Sequence, residues 1–326
     1  MSDLTPFRFD AQLTGTSLED LSARAVIRDR DADAANTRRS YRTGWRIFAA
    51  FCTHHDLSAL PARPQTVVRY LEWLAGAGYA PSTIETRLTA IADRHRRNGE
   101  ETPGRAQPVK RQLKNVRRTS DHEPDRKAPI LMEHLRAMDF DEDDLSALRD
   151  RAVLFLGFSG GFRRQVLSAL RTKDIRPVQG GRVINVPKSK TDQAEGRSVQ
   201  IPDRVPGLSP PPNDALDRWL DAAGITSGPL FRMVDRWGNV RDGALSGHSV
   251  YNIVREWIES IGENPELYGA HSLRAGFATQ AYIDGVGEHE AADQTGHSDL
   301  STLREYQRVH VVMDSHPLSR MGVDDA

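Results

Sequence analysis

The chain has 326 residues, 38% of them hydrophobic and 27% charged, with a formal net charge of −1. That length admits two domains with separate cores, and the composition is that of an ordinary globular protein. With no run of about 18 apolar residues, no secretion-signal pattern at the N-terminus and a single cysteine, Cys52, the sequence argues against a membrane span or a disulfide scaffold and fits a reducing cytoplasm.

Residues 1–33 read as a flexible arm with one short helix near 17–26. From Thr37 the pattern sharpens: Tyr41, Trp45, Phe48 and Cys52 form one apolar stripe of a helix, and Arg38, Arg39, Arg42 and Arg46 fall largely off it. Pro64 suits the first turn of a second helix carrying Val67, Tyr70, Leu71 and Leu74 inward, ending at 76–78. Ser82-Thr83-Ile84-Glu85 reads as a capping box for a third, striped by Ile84, Leu88, Ile91 and His95. A fourth spans about 108–118 with Val109, Leu113 and Val116 inward. Four short helices with basic outer faces make a small bundle over 34–118. Between Arg94 and Arg118 stand nine Lys or Arg, among them Arg96, Arg97, Arg111, Lys114 and Arg117, against two Glu. Phosphates are drawn to such a stretch, so the distribution of charge says more than its near-zero sum.

Residues 119–129 are polar and contain proline, as an interdomain linker does. A second unit over 130–316 opens with helical periodicity at 131–138 and 145–158. Three strands are expected at 174–178, 182–186 and 197–201, the first pair turned by Gly180-Gly181 and the second joined by a longer loop, 187–196. Prolines at 206–212 break the chain before further helices near 214–223, 249–261, Arg274 and Ala291, and residues 317–326 form a tail. The expected fold class is mainly α: a helical bundle plus a mostly helical domain with a small three-stranded antiparallel sheet. No repeat, Walker loop or Cys/His metal cluster is visible, so no metal or cofactor is expected.

Five short motifs carry chemistry: Gly160-Gly161-Phe162-Arg163-Arg164, Ser189-Lys190-Thr191-Asp192-Gln193, His271-Ser272-Leu273-Arg274, Gly296-His297 and Tyr306. A phosphodiester resists attack, so a metal-free protein must supply positive charge, a proton donor and a placed nucleophile. Arginine forks match non-bridging phosphate oxygens and keep their charge. His271 and Arg274, three apart, share a helical face.

In this order the motifs resemble the tyrosine recombinase (phage integrase) family, from about residue 34 to about 310. The resemblance implies a SAM-like core-binding domain at 34–118 and a catalytic domain at 130–316. It implies catalytic Arg163 (with Arg164 a rival), Lys190 (with Lys188 a rival) donating a proton to the leaving 5′ oxygen, His271, Arg274, His297 on a non-bridging oxygen, and Tyr306 as nucleophile. It further implies a 3′-phosphotyrosyl intermediate, strand joining without ATP or metal, and exchange through a Holliday junction. The DNA-binding set expected on charge is Arg38, Arg39, Arg42, Arg46, Arg94, Arg96, Arg97, Arg111, Lys114, Arg117 and Arg118.

Partners implied are double-stranded DNA held in a two-domain clamp, three further copies of the chain in a tetramer on two sites, and accessory proteins, in a cytoplasmic, nucleoid-associated setting. Residues 310–326 are expected to pack on a neighbouring copy. A type IB topoisomerase and a catalytically silent DNA-binding protein are the rival readings. The second draws on Val166, which stands where the family usually carries an acidic residue supporting the Arg and His; either Gln165 or a distant carboxylate takes that role, or the enzyme is slow.

Overall fold

In a computed structural model, residues 35–122, 127–186, 196–297, 299–301 and 303–304 are described. The arm with its expected helix at 17–26, Lys190, Tyr306 and the tail lie outside them. The chain divides into two compact units, Met1–Asp125 and Arg126–Ala326.

Four helices build the first unit: α1 (Ala35–His54), α2 (Pro64–Gly76), α3 (Pro81–Arg97) and α4 (Gln107–Thr119). Their stripes meet in one core of Phe48, Tyr70, Leu71, Leu74, Ile84, Ile91, Val109 and Val116, with Phe48 and Tyr70 in edge-on contact at 5.0 Å. His95, on the apolar stripe, is fully buried and satisfied on both ring nitrogens: Nε2 accepts from the Ala62 amide (2.9 Å) and Nδ1 donates to the Ile91 carbonyl (2.8 Å). The expected capping box is corrected. Helix α3 starts at Pro81 after Ala80, whose side chain caps nothing, and Ser82 lies inside the first turn. Proline there has φ preset and no amide to satisfy, so it begins the helix one residue before the serine.

The second unit contains α5 (Met132–Ala137), α6 (Leu145–Ser159), α7 (Arg164–Ala169), β1 (Ile175–Val178), β2 (Gly181–Asn185), β3 (Ser198–Pro202), α8 (Pro212–Ala222), β4 (Arg232–Val234), β5 (Val240–Ala244), α9 (Gly247–Ser260), α10 (Ser272–Ile283) and α11 (Glu288–Thr295). Helix α6 is buried from Ala147 to Ser159 apart from Arg149, and the other helices pack around it. The three-stranded sheet is antiparallel in the order β1-β2-β3, with Ile184 paired to Val199 and both side chains in the core. The β4–β5 hairpin and α7 are each too short to show a period in the sequence. In that hairpin Asp235 accepts from the amides of Trp237 and Asn239, both at 2.9 Å, and fixes the turn.

Candidate active site

The end of α6 sets the first arginine. Gly160 caps the helix, Gly161 takes a left-handed φ of 54°, and Phe162 turns back into the core with its amide on the Gly157 carbonyl (3.0 Å). With Phe162 as a buried anchor, the chain leaves the core at Arg163, the extended residue that precedes α7. A side chain at Gly161 would come within 2.7 Å of the Thr295 methyl, so glycine serves here for close approach as well as for φ.

The second arginine is placed by α10. His271 caps that helix and Arg274 lies in its first turn, 1% exposed. Its Nη1 donates to the Gly161 carbonyl (2.9 Å) and to the Thr295 carbonyl, joining the end of α6 to the end of α11. A buried guanidinium needs such acceptors to offset desolvation.

Helix α11 ends in a left-handed Gly296 (φ 69°), whose amide and that of His297 both donate to Ala292. Thr295 Oγ1 lies 2.7 Å from His297 Nδ1. Two further side chains hold this turn. Arg197, ahead of β3, donates to the Gln294 carbonyl (2.9 Å), and Gln294 donates to the carbonyls of Ser159 (2.9 Å) and Gln200 (3.1 Å). The loop carrying Lys190 is closed at its base by the Val186 amide on the Arg197 carbonyl (2.7 Å), so it is rooted beside the His297 turn.

The electrostatics follow from this crowding of cations. His297 is half-buried, and desolvation, then the guanidiniums of Arg274 and Arg163, hold its imidazole down to about 3. His271 is exposed at its edge, yet desolvation leads the same downward shift there, followed by Arg274 and Arg163. Arg163 and His271 also line one cavity of about 430 Å³ with Lys127, Arg164 and Tyr251. The site is therefore an anion-receptive cradle: the held guanidinium of Arg274 and that of Arg163 stand beside two imidazoles whose pKa values are lowered.

Four expected residues, Arg163, His271, Arg274 and His297, come together here. Arg197, Gln294 and Thr295 were missed; Arg197 and Gln294 have no spacing that singles them out, whereas Thr295 immediately precedes Gly296-His297. Val166 packs half-buried against the core from α7, and its side chain has no acceptor to offer Arg163 or His271; the other arginine, Arg274, donates to the carbonyls of Gly161 and Thr295. For Tyr306 the nearest described anchor is Leu303, buried among Ala278, Ala281, Ala291 and Ala292, which brings the chain back onto α10 and α11 three residues earlier. Arg304 adds an ion pair to Glu288 (2.9 Å).

Comparison with known proteins gives the frame for this geometry. Residues 132–312 match the phage integrase family and residues 26–96 match the phage integrase N-terminal SAM-like domain. An integrase/recombinase xerD homolog of Selenomonas ruminantium is 35% identical over 309 residues, covering 93% of this chain and 90% of that protein. The chain belongs to the phage integrase family. It is accordingly a tyrosine recombinase, an enzyme of site-specific DNA cleavage and rejoining. Among other phage integrase relatives, recombinase cre of Escherichia phage P1 is 24% identical, covering 87% of each chain. The fold is shared with the Tn1549 transposon integrase (TM-score 0.59, 16% identity, 91% of this chain and 96% of that one). It is shared also with a lambda integrase dimer bound to a core site (TM-score 0.56, 15% identity, 88% and 93%).

Proposed function

We propose that Tyr306 is the nucleophile of this recombinase and that Arg163, Arg274, His271 and His297 form the cradle for the scissile phosphate of duplex DNA. The convergence of these four residues around one cation-rich site carries the reading. Tyr306 Oη forms a bond to phosphorus and the P–O5′ bond breaks; the phenol surrenders its proton to a neutral base of the site, and Lys190 gives one to the departing 5′ oxygen. The guanidiniums of Arg163 and Arg274 stabilise the charge that builds on the non-bridging oxygens. The 3′-phosphotyrosyl bond retains the energy of the phosphodiester, and a 5′-hydroxyl from a second duplex reverses the step.

Before the chemistry, the bundle holds the duplex backbone through the exposed arginines of α1 (Arg38, Arg39, Arg42 and Arg46) and the basic residues from Arg94 to Arg118. Four copies on two sites would pass through a Holliday junction, in the cytoplasm on nucleoid DNA. The test is covalent capture. A target selected by this protein from a random duplex pool, nicked beside the cleavage point, is expected to become attached to the peptide containing Tyr306. Tyr306→Phe is expected to bind that DNA and form no adduct; an adduct persisting in the Phe variant would remove Tyr306 from the role.

A further inference from the structure

Thr295 sits at the last position of α11, fully buried, with one hydroxyl facing three partners. Its Oγ1 is 2.7 Å from the Ala291 carbonyl oxygen, four residues back, 3.3 Å from the Ala292 carbonyl oxygen and 2.7 Å from His297 Nδ1. A hydroxyl has one hydrogen to give, and a carbonyl oxygen has none. The Ala291 contact therefore uses the Thr295 proton, in the back-bonding geometry open to threonine in helices. The contact to His297 must then run the other way, with Nδ1–H donating to the Thr295 oxygen. Because the neutral ring carries one proton, the opposite nitrogen, Nε2, is left with a lone pair.

We propose that Thr295 is a positioning residue that locks neutral His297 as the Nδ1–H tautomer, so that His297 can donate to a phosphate oxygen only after taking up a proton. The proposal rests on the reading of His297 as part of the phosphate cradle. Among the described residues, the charged and titratable groups acting on this ring are Arg274 from α10, Arg163 ahead of α7, His271 ahead of α10 and Arg197 ahead of β3. Three are permanent cations and all oppose a second proton on His297, which agrees with its neutral state in the free protein. An entering phosphate supplies the opposite charge, so occupation of the cradle and protonation of Nε2 occur together. Thr295 is suited to this by shape as well: its methyl fills the space left by the missing side chain of Gly161, and its own carbonyl receives Arg274. One residue thus fixes the orientation of both His297 and Arg274.

The test reads the ring nitrogens directly. The full chain labelled with nitrogen-15 in histidine is examined by NMR at neutral pH, His297 being identified by the signals lost in His297→Gln. Expected is a single neutral tautomer with Nδ1 protonated and Nε2 bare, and protonation of Nε2 when inorganic phosphate is added. Thr295→Ser keeps the hydroxyl and is expected to keep this signature. Thr295→Val keeps the shape without the hydroxyl and is expected to lose it, with a thermal melt reporting that the fold persists. A wild-type Nε2–H tautomer, a Val variant with the wild-type spectrum, or phosphate bound with Nε2 still bare overturns the proposal. Should the Val variant not fold, the wild-type and Ser spectra still decide it. Failure of the Tyr306 assignment would leave these spectra unchanged, so the two readings fail separately.

Discussion

Arg197 Nη1 donates to the Gln294 carbonyl at 2.9 Å, and this bond ties the strand hairpin that carries the Lys190 loop to the turn that carries His297. The segment expected to carry the proton donor for the leaving oxygen and the turn expected to contact a non-bridging oxygen thus meet through this bond. Arg197→Ala is expected to slow single-turnover cleavage of a nicked duplex by about tenfold, equivalent to roughly 1.4 kcal/mol, with DNA affinity nearly unchanged. Arg197→Lys recovers part of the rate, since one ammonium replaces the fork. Loss of this cation also raises the His297 pKa toward its ordinary value. An unchanged rate would mean that the α11 turn holds itself.

The depressed histidines make the fold acid-sensitive in a defined window. A group whose folded pKa lies below its unfolded value binds its proton first in the unfolded chain, so folding loses stability as pH falls. For His271 and His297 that loss begins near 6.5, and for His297 it continues to about 3. Glu142, its carboxyl held down to about 2 by hydrogen bonding to Arg151, starts to contribute only below about 4.5. Urea melts between pH 6.5 and 5 are therefore expected to show stability falling with pH. The slope should flatten in a His271→Gln/His297→Gln double variant and shrink when sulfate occupies the cradle. A flat wild-type profile would contradict the burial of these rings.

Val166→Glu is expected to speed cleavage by about tenfold, equivalent to roughly 1.4 kcal/mol, where the carboxylate reaches Arg163 or His271, because the carbonyls of Gly161 and Thr295 hold a different guanidinium, that of Arg274. The carboxylate would enter a half-buried position packed against the core, with a stability loss of roughly 1–3 kcal/mol if it finds no partner. Single-turnover kinetics beside a thermal melt measures both. A variant as stable as wild type but no faster would show that another residue already holds Arg163 and His271.

On the bundle, Arg117 is paired with Glu85 at 2.6 Å, whereas Arg111, Lys114 and Arg118 are exposed on the same helix. Each residue that contacts a phosphate adds about 0.9 to the slope of log affinity against log salt. Replacing Arg111, Lys114 and Arg118 singly by Gln should lower the slope by about that much each, and Arg117→Gln by less. Equal slopes in wild type and variants would make this face a solvated one.

The sequence was most informative where a long-range period or a fixed motif order exists. The bundle stripes Phe48, Tyr70, Leu71, Ile84 and Ile91 meet in the core as their spacing requires, and the three strands fall where alternation and Gly180-Gly181 place them. Arg163, His271, Arg274 and His297 were legible as a set because their order survives any fold. What was not legible is held by contacts between distant segments. Arg197 and Gln294 are 97 positions apart, and α7 is six residues long. Pro81 displaced the start of α3 because a preset φ outweighs a hydroxyl one residue later.

Arg274 leans on the oxygens of Gly161 and Thr295, and those oxygens belong to the main chain. Any codon at either position supplies a carbonyl; what must be inherited is the path of the backbone, chiefly the left-handed step at Gly161. The grip on Arg274 itself depends on this path and not on a side-chain acceptor, so a change that straightens the turn would undo it.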